Sequence, residues 1–324
     1  METKVMKNRG FTLVELLVVI AIIALLVGLL LPALAKAQQS AKETKDATQI
    51  KQIHQAMLSW ASKDKAGRLP VPGYINRCGN FANQGTEDPS LNTTQNLYSS
   101  MIAADYFKPD LLIGPTEVNP AVIEMGKNGT TPYNFASYNP VSDSYWDTNF
   151  AANISATPGN GVSNVSYAHL ALFGLRKDTS WRNTQDSSKP LMGTRGPKVN
   201  LDTGVVTPDD FNKSYTLLLI GPKNDWWGNL CYGDNHMDLA KSFTPEGVTF
   251  ECGNLGNTKD NIFAPGPFSA QANCRKKGCI ATCAAGANPT QVLNHSAGDT
   301  WLGFFPNTMT GCLLGAPAYD PLLP

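Results

Sequence analysis

The sequence predicts an α+β fold in which one long N-terminal helix packs on a small antiparallel sheet with extensive loops. Three observations support this fold class. After ten residues the chain has a long apolar run that passes into a segment of helical periodicity, and short strand-like runs lie in its second half. Only 16% of the 324 residues are charged, against roughly 25% in typical soluble domains. Asn, Gly, Ser, Thr and Pro take their place, and these residues predict long loops and short strands.

The first 35 residues have the pattern of a membrane helix behind a short basic leader. Residues 1–10 contain three basic side chains and one acidic side chain, and residues 11–35 contain a single charge, Glu15. About 20 apolar residues are enough to cross a bilayer core. Because the basic residues precede the helix, we expect the N-terminus in the cytoplasm and the rest of the chain across the membrane.

The one charge inside this apolar segment needs an explanation. A carboxylate at that depth costs on the order of 3 kcal/mol on insertion scales, so Glu15 should have a cationic partner. A cut between Gly10 and Phe11 would create an α-amino group four residues before Glu15. That amine could neutralise Glu15 of its own chain or of a neighbouring chain. Removal of the leader would then create the cation that neutralises the acid within the apolar segment.

The string GFTLVE, which begins at Gly10, resembles the signature of type IV pilins and type II secretion pseudopilins. The resemblance covers residues 7–35 and includes the apolar run. It implies that a prepilin peptidase cleaves after Gly10 and methylates the new N-terminal Phe11. It also implies that Glu15 is the carboxylate used in filament assembly. Pro32 fits the same resemblance, since related helices often carry a proline there that lets the helix kink and loosen in the filament.

Two other interpretations of this segment remain open. An ordinary secretory signal peptide has some support, because Ala33–Ala35 and Ala35–Ala37 resemble small-residue cleavage sites. A plain transmembrane anchor is the other alternative. Both leave Glu15 without a purpose, and the apolar run is long for a signal peptide. We therefore favour the pilin-like interpretation.

Residues 36–64 predict an amphipathic continuation of the same helix, because they contain neither Gly nor Pro and show one apolar stripe. Gly67 and Pro70 mark its end. The small residues of its first half could contact sister helices, and the bulkier second half could contact the globular part, residues 65–324. His54 lies beside the stripe and is predicted to be a surface or packing residue. The stripe comprises Ala37, Ala41, Thr44, Ala47, Ile50, Ile53, Met57 and Trp60.

The globular part predicts one short helix and a small antiparallel sheet. The helix covers residues 94–107 and is followed by a short apolar run that ends in turns. Residues 126–190 predict an irregular insertion. The predicted strands are Ser166–Phe173, Tyr215–Ile220, 229–233 and 236–243 around a turn at residues 233–235, and an edge strand at Val248–Glu251.

The layout of the short helix, an aromatic residue and a run into proline resembles the pilin-like family with prepilin-type N-termini found in planctomycetes. The later string around the 233–235 turn resembles the C-terminal hairpin of the same family. Its members often have a cysteine just before that proline. Here the position is Gly114, so a disulfide that used it is absent.

Several side chains could suggest a site in the globular part. The seven cysteines allow disulfides or buried thiols, and both stay open. Their spacings lack the paired CxxC of a zinc ribbon, and no metal site is predicted. Asp234, Asn235, His236 and Asp238 could bind calcium, but a hairpin turn explains them more simply. The aromatics of the insertion favour a core role over glycan binding; they are Tyr133, Phe135, Tyr138, Tyr145, Trp146, Phe150 and Tyr167.

The functional expectation follows from these patterns. The formal net charge is zero, which argues against nucleic-acid binding. The chain has no GxGxxG after a strand, no P-loop, no GxSxG and no HExxH, so neither an enzyme nor a cofactor is predicted. We expect a structural subunit of a type II secretion pseudopilus or type IV pilus-like filament. Its expected partners are prepilin peptidase, other subunits and inner-membrane lipid.

The expected location is the inner membrane, which the chain crosses once, with a periplasmic domain that could also be displayed on a cell-surface filament. A membrane-tethered surface module that binds glycan or a secreted cargo is the alternative. A third hypothesis is a tethered enzyme that uses the Asp234–Asp238 cluster, although no recognisable catalytic arrangement supports it.

Overall fold

The computed structural model describes residues 12–75, 87–142, 144–154, 162–199, 206–222, 224–251, 257–263, 302–303 and 305. The chain divides after Thr44 into two compact units. The first holds the apolar part of the N-terminal helix, and the second begins at Lys45 and holds the rest of that helix and the globular part.

The N-terminal helix α1 runs from Leu13 to Ala61 as one 49-residue element that includes Pro32. This confirms the predicted helix, which was expected to end near residue 64. Beyond Ala61 the chain tightens into three-residue turns, because the amide of Lys63 donates to the Trp60 carbonyl at 2.9 Å. Gly67 then takes a left-handed φ of 64°, which turns the chain away from the helical path.

The second helix, α2, spans Thr94–Ala103, and the side chain of Thr93 caps it by accepting from the Asn96 amide at 3.2 Å. The prediction extended this helix to residue 107. It ends earlier because Asp105 adopts a φ of 57°, and the Tyr106 amide folds back to the Met101 carbonyl. Two shorter helices follow, α3 at Gly174–Thr179 and α4 at Pro208–Asn212.

The strands of the described residues are β1 Tyr167–Leu170, β2 Pro190–Thr194, β3 Gly228–Tyr232, β4 Met237–Ala240, β5 Thr249–Glu251, β6 Asn257–Lys259 and β7 Leu302–Gly303. The main sheet is antiparallel with the strand order β4-β3-β2-β1-β7, and β5 and β6 form a separate antiparallel pair. The register pairs Tyr167 with Thr194, Gly193 with Leu230 and Cys231 with Met237.

The predicted hairpin at residues 229–243 is confirmed as β3 and β4, although β4 ends at Ala240. Its turn contains Asn235 with a φ of 68°, a conformation that Asn tolerates better than most residues. The predicted strand Ser166–Phe173 is observed as the shorter β1, because Phe173 already precedes the first turn of α3. The predicted edge strand at Val248–Glu251 is β5, and it pairs with β6 outside the main sheet.

The prediction of a strand at Tyr215–Ile220 is wrong. Tyr215–Leu218 form a 3₁₀ helix, and the Ser214 hydroxyl caps it by accepting from the Thr216 amide at 3.2 Å. A continuous apolar run fits a buried strand or a buried helical turn equally well, so its composition could not separate the two. The side-chain cap from Ser214 favours the helical turn over a strand.

Strand β2 was missed, although it lies at the centre of the sheet. Pro190 and Gly193 weaken its strand signal, since both residues are unfavourable in strand interiors. A Cβ atom at Gly193 would lie 2.7 Å from the Asn229 carbonyl oxygen and 2.7 Å from Cδ2 of Leu230. The glycine therefore reflects a close approach of β3 to β2.

The core of the second unit lies between the last turns of α1, the apolar face of α2 and the sheet. Ile53 and Met57 of α1, Leu97 of α2 and Leu170 and Met192 of the sheet are fully or almost fully buried in one cluster. The end of α1 is therefore part of the folded domain.

The expectation that the insertion's aromatics form core is confirmed for five of seven. Tyr133, Tyr145, Trp146, Phe150 and Tyr167 are buried, whereas Phe135 and Tyr138 are exposed. Cys231 is a buried free thiol. The other six cysteines and nearly all of residues 264–324 lie outside the described residues, so the predictions about disulfides and an irregular C-terminal region remain predictions.

Candidate functional site

Glu15 lies in the first turn of α1 and forms a capping box with Thr12. Its carboxylate accepts from the Thr12 amide at 2.9 Å and from the Thr12 hydroxyl at 2.8 Å. The same hydroxyl accepts from the Glu15 amide at 3.2 Å. A Thr-x-x-Glu pattern in this position satisfies backbone donors that an α-helix leaves free at its start. In the single chain, the carboxylate therefore faces back toward the N-terminus.

This capping box was not among the features predicted from the sequence. The pattern Thr12-Leu13-Val14-Glu15 before an apolar run was the signal that could have revealed it. Gly10 and Phe11 lie outside the described residues. The cleavage between them, the methylation of Phe11 and the pairing of its amine with Glu15 remain predictions.

The apolar part of α1 exposes nearly all of its side chains. Sixteen large hydrophobic residues between Leu13 and Leu34 are 44–78% exposed. The most apolar 18-residue window has a mean hydropathy of 3.1, and none of it is buried. Burying one such side chain is worth roughly 1.5–3 kcal/mol, so water is an unfavourable environment for this surface. By length and composition, the helix could cross a membrane.

Pro32 lies inside α1 and cannot donate a backbone hydrogen bond. The carbonyl of Gly28, four residues earlier, therefore lacks its usual helical donor. Gly28 adds a second weak point, because glycine favours an α-helix by about 1 kcal/mol less than alanine. The helix nevertheless continues through both residues. A kink or loosening at Pro32 in a filament remains a prediction.

The second half of α1 is fixed to the domain through a buried carboxylate, Asp46, which is 2% exposed. Its Oδ1 accepts from the Tyr167 hydroxyl at 3.1 Å and from the Thr116 hydroxyl at 3.4 Å. Its Oδ2 accepts from Nδ2 of Asn229 at 3.0 Å. Burial raises the pKa of Asp46 to about 6, although these hydrogen bonds act in the opposite direction.

A buried ion pair lies beside this carboxylate. The Arg195 guanidinium donates to both Glu117 oxygens at 2.5 and 2.8 Å, and both side chains are at most 5% exposed. Burial alone would raise the pKa of Glu117, but the charge of Arg195 and its hydrogen bonds hold that pKa below the ordinary value. Glu117 in turn helps to raise the pKa of Asp46 by charge repulsion.

The Asp46 contact also explains why residue 114 is small. A Cβ atom at Gly114 would lie 2.7 Å from Oδ1 of Asp46, so a side chain there would require the carboxylate to move. The role of Asp46 was not predicted, because this residue lies in a polar stretch of the sequence. Its spacing from Ile50, Ile53 and Met57 places it on the apolar stripe, and a charge at a stripe position was the available signal.

His54 provides a second polar link between α1 and the sheet. It is fully buried, and its Nδ1 lies 3.0 Å from Oδ1 of Asn235 in the β3–β4 turn. Burial lowers the pKa of His54, although the bond to Asn235 and the charge of Asp234 act in the opposite direction. The prediction of a packing histidine is confirmed.

In the β3–β4 turn, Asp234 and His236 bond to each other, whereas the Asn235 side chain bonds to His54 outside the turn. The His236 ring lies 2.5 Å from the Asp234 carboxylate and stacks on Tyr232 with centroids 4.3 Å apart. Asn235 takes the left-handed turn conformation, and Asp238 lies in β4. The turn accounts for this cluster as expected. Among the described residues, no group of three or more His, Cys, Asp or Glu side chains could hold a metal ion.

The comparisons with known proteins agree with the N-terminal pattern. A family model described as the prokaryotic N-terminal methylation motif matches residues 5–31. The chain is also 39% identical over 57 residues to the type IV major pilin protein PilA of Myxococcus xanthus (strain DK1622). That stretch covers 18% of this chain and 26% of the relative, so the chain spans about a quarter of the curated relative it matches. No solved structure matches the chain.

Proposed function

We propose that the chain is a pilin-like protein with a prepilin-type N-terminus and serves as a structural subunit of a filament. The filament is of the type IV pilus or type II secretion pseudopilus kind. A prepilin peptidase cleaves after Gly10 and methylates Phe11. Before assembly, α1 crosses the inner membrane with its N-terminus in the cytoplasm and the globular domain in the periplasm. The subunit has no catalytic role.

The observation that carries this proposal is the exposed apolar surface of α1 between Leu13 and Leu34. A surface of this size needs a covering, and lipid supplies one before assembly. The apolar helices of other subunits supply another in a filament core. The methylation-motif match over residues 5–31 supports this use over that of a plain anchor.

Glu15 would then have two successive partners. In the single chain, the carboxylate bonds to Thr12 within the same helical turn. In the filament, the methylated amine of Phe11 on a neighbouring subunit would compensate its charge. A charge pair in a medium of low dielectric constant is much stronger than in water, so the pairing favours assembly.

The two roles of Glu15 can be separated by substitution. Glu15→Gln removes the charge and keeps the capping box, since glutamine also serves at this position. Thr12→Val keeps the charge and removes the capping hydroxyl. Glu15→Ala removes both contributions. Each variant would be expressed in the native host, and the sheared filament fraction would be compared with the processed membrane pool.

We expect normal cleavage of all three variants. Filament yield should fall at least tenfold for Glu15→Gln and Glu15→Ala, because both lose the charge. Thr12→Val should assemble nearly normally, since a lost cap costs about 1 kcal/mol. Normal filament yield from Glu15→Gln would refute the charge pairing. A loss confined to Thr12→Val and Glu15→Ala would show that capping alone matters.

A further inference from the structure

A buried lysine of the globular domain lies beside a carboxylate and a buried carboxamide. Lys177 belongs to the short helix α3 and is 8% exposed, and Asn92 follows a 3₁₀ turn at Pro89–Leu91 and is 6% exposed. Lysine is almost never buried to this degree without a partner. The Lys177 ammonium donates to both oxygens of Glu87, which explains how its charge is tolerated. The ion pair does not explain Asn92, which bonds to the same carboxylate.

The amine of Lys177 and the carboxamide of Asn92 meet at one oxygen of Glu87. Nδ2 of Asn92 donates to Oε1 of Glu87 at 2.7 Å, and the Lys177 ammonium donates to the same atom. Two donors on one acceptor are at most two hydrogen-bond lengths apart, or about 6 Å. The stem of a lysine side chain is flexible enough to cover the remaining distance by rotation. The amine can therefore reach Cγ of Asn92 without a movement of the backbone.

The carboxamide of Asn92 is held with its carbonyl group on a backbone donor. The Gly73 amide donates to Oδ1 at 2.8 Å, and Nδ2 also donates to the Leu172 carbonyl at 3.2 Å. A Cβ atom at Gly73 would lie 2.8 Å from Oδ1, so a side chain there would push the carboxamide away. When a nucleophile attacks a carbonyl carbon, negative charge develops on the oxygen, and a backbone N–H at this distance stabilises that charge.

The surroundings of the amine limit its contact with water. The Lys177 and Glu87 side chains are 9% and 17% exposed, and the Tyr74 ring lies over the amine with its centroid 5.2 Å from Nζ. The Tyr74 hydroxyl is hydrogen-bonded to Glu87. A second carboxylate, Asp178, lies 3.5 Å from Nζ, and its side chain is 55% exposed. Water is the nucleophile that competes with an amine for a carboxamide, so its partial exclusion favours the amine.

These groups have the roles that an amide exchange requires. The amine is the nucleophile and the carboxamide carbon is the electrophile. The carboxylate between them accepts a proton from one nitrogen and returns it to the other. Glu87 already bonds to both nitrogens, so neither proton transfer needs another group. A plain ion pair would not place the carboxylate on the nitrogen that has to leave.

We propose that Lys177 and Asn92 form an isopeptide bond within the folded domain. Glu87 takes one proton from the Lys177 ammonium, and the free amine attacks Cγ of Asn92. The new bond joins Nζ to Cγ, and the bond between Cγ and Nδ2 breaks. Nδ2 leaves as an ammonium ion, with one further proton from Nζ and the proton that Glu87 held. Atoms and charge balance, and no oxidant, reductant or further reactant takes part.

The bond would tie α3 to the segment before α2, which lies far away in the sequence. A cross-link between distant residues restricts the unfolded chain and so favours the folded domain. In a filament, it would also resist extension of the domain under tension. The reaction needs only the globular domain and does not depend on processing or assembly, so it can fail or succeed independently of the filament proposal.

The test measures the mass of the full chain, purified in detergent and shown to be folded by a thermal melt. We expect an intact mass lower by one ammonia molecule than the amino-acid sequence requires, and a branched tryptic peptide that joins residue 92 to residue 177. Lys177→Arg keeps a cation beside Glu87 but removes the nucleophile. Asn92→Ala removes the electrophile, and Glu87→Gln removes the proton carrier. Lys189→Arg, at a half-buried lysine that bonds elsewhere, is the matched control.

Lys177→Arg and Asn92→Ala should have the full mass and no branched peptide. Glu87→Gln should link at least tenfold more slowly, and Lys189→Arg should link like the unchanged chain. The proposal is overturned if the folded, unchanged chain has its full mass, or if ammonia is lost without the branched peptide. It is also overturned if the branched peptide joins other residues, or if Glu87→Gln links as fast as the unchanged chain.

Discussion

Removing the charge of the buried Asp46 carboxylate should stabilise the protein at neutral pH, although this carboxylate accepts several hydrogen bonds. The folded chain raises the pKa of Asp46 from the ordinary value of 3.8 to about 6. Each pKa unit corresponds to about 1.4 kcal/mol, so the ionised carboxylate lowers the free energy of unfolding by about 3 kcal/mol at pH 7.5.

The sign follows from proton linkage. Between pH 3.8 and about 6 the folded state binds more protons at Asp46 than the unfolded state does. The stability that this protonated group contributes is therefore complete below pH 3.8 and is lost as the pH rises through about 6. An asparagine side chain cannot ionise, so the variant Asp46→Asn avoids this loss. Asn229 must turn its amide to face the new side chain, which costs about 1 kcal/mol.

Asp46→Asn should therefore raise the free energy of unfolding by about 2 kcal/mol at pH 7.5 and leave it equal or slightly lower at pH 4. Urea unfolding of the detergent-solubilised chain, followed by tryptophan fluorescence, measures both values. The difference between variant and unchanged chain isolates Asp46, because all other titrating groups are common to both. A stability difference that is the same at the two pH values, or a variant less stable at pH 7.5, would refute the reasoning.

Two further predictions concern the sheet. His169 is fully buried, with a pKa that burial lowers to about 4, so stability should fall by about 3 kcal/mol as the pH drops from about 6.5 to 4. The variant His169→Gln should lose this part of the pH dependence in urea titrations, and an unchanged slope would contradict the assignment. Gly193→Ala should cost about 1–3 kcal/mol in the same assay, because its Cβ would lie 2.7 Å from the Asn229 carbonyl oxygen. A neutral outcome would show that β3 can move away.

The helical half of the fold could be predicted from the sequence because its signals are local. An apolar run, helical spacing and a Gly–Pro stop indicate α1 without reference to the rest of the chain. The β3–β4 hairpin was also predictable, because Asp234 and Asn235 suit the backbone of a tight turn. In these elements, residue type and local conformation agree.

The features that were not predicted from the sequence have a common cause. Each depends on contacts between residues that are distant in the sequence. Gly193 is a glycine because β3 approaches it closely, and this approach cannot be seen within residues 190–194. Asp46 is tolerated in the core only because Tyr167 and Asn229, more than 120 residues away, donate to it. The Thr12 capping box is the exception, since its pattern was local and was overlooked.

The most direct test of the filament proposal is the mass and N-terminal sequence of the chain extracted from its native membrane. The proposal predicts a protein that has lost residues 1–10 and begins with Phe11 carrying one methyl group on its amine. An intact protein that retains the leader, or a soluble one trimmed near Ala35, would contradict it.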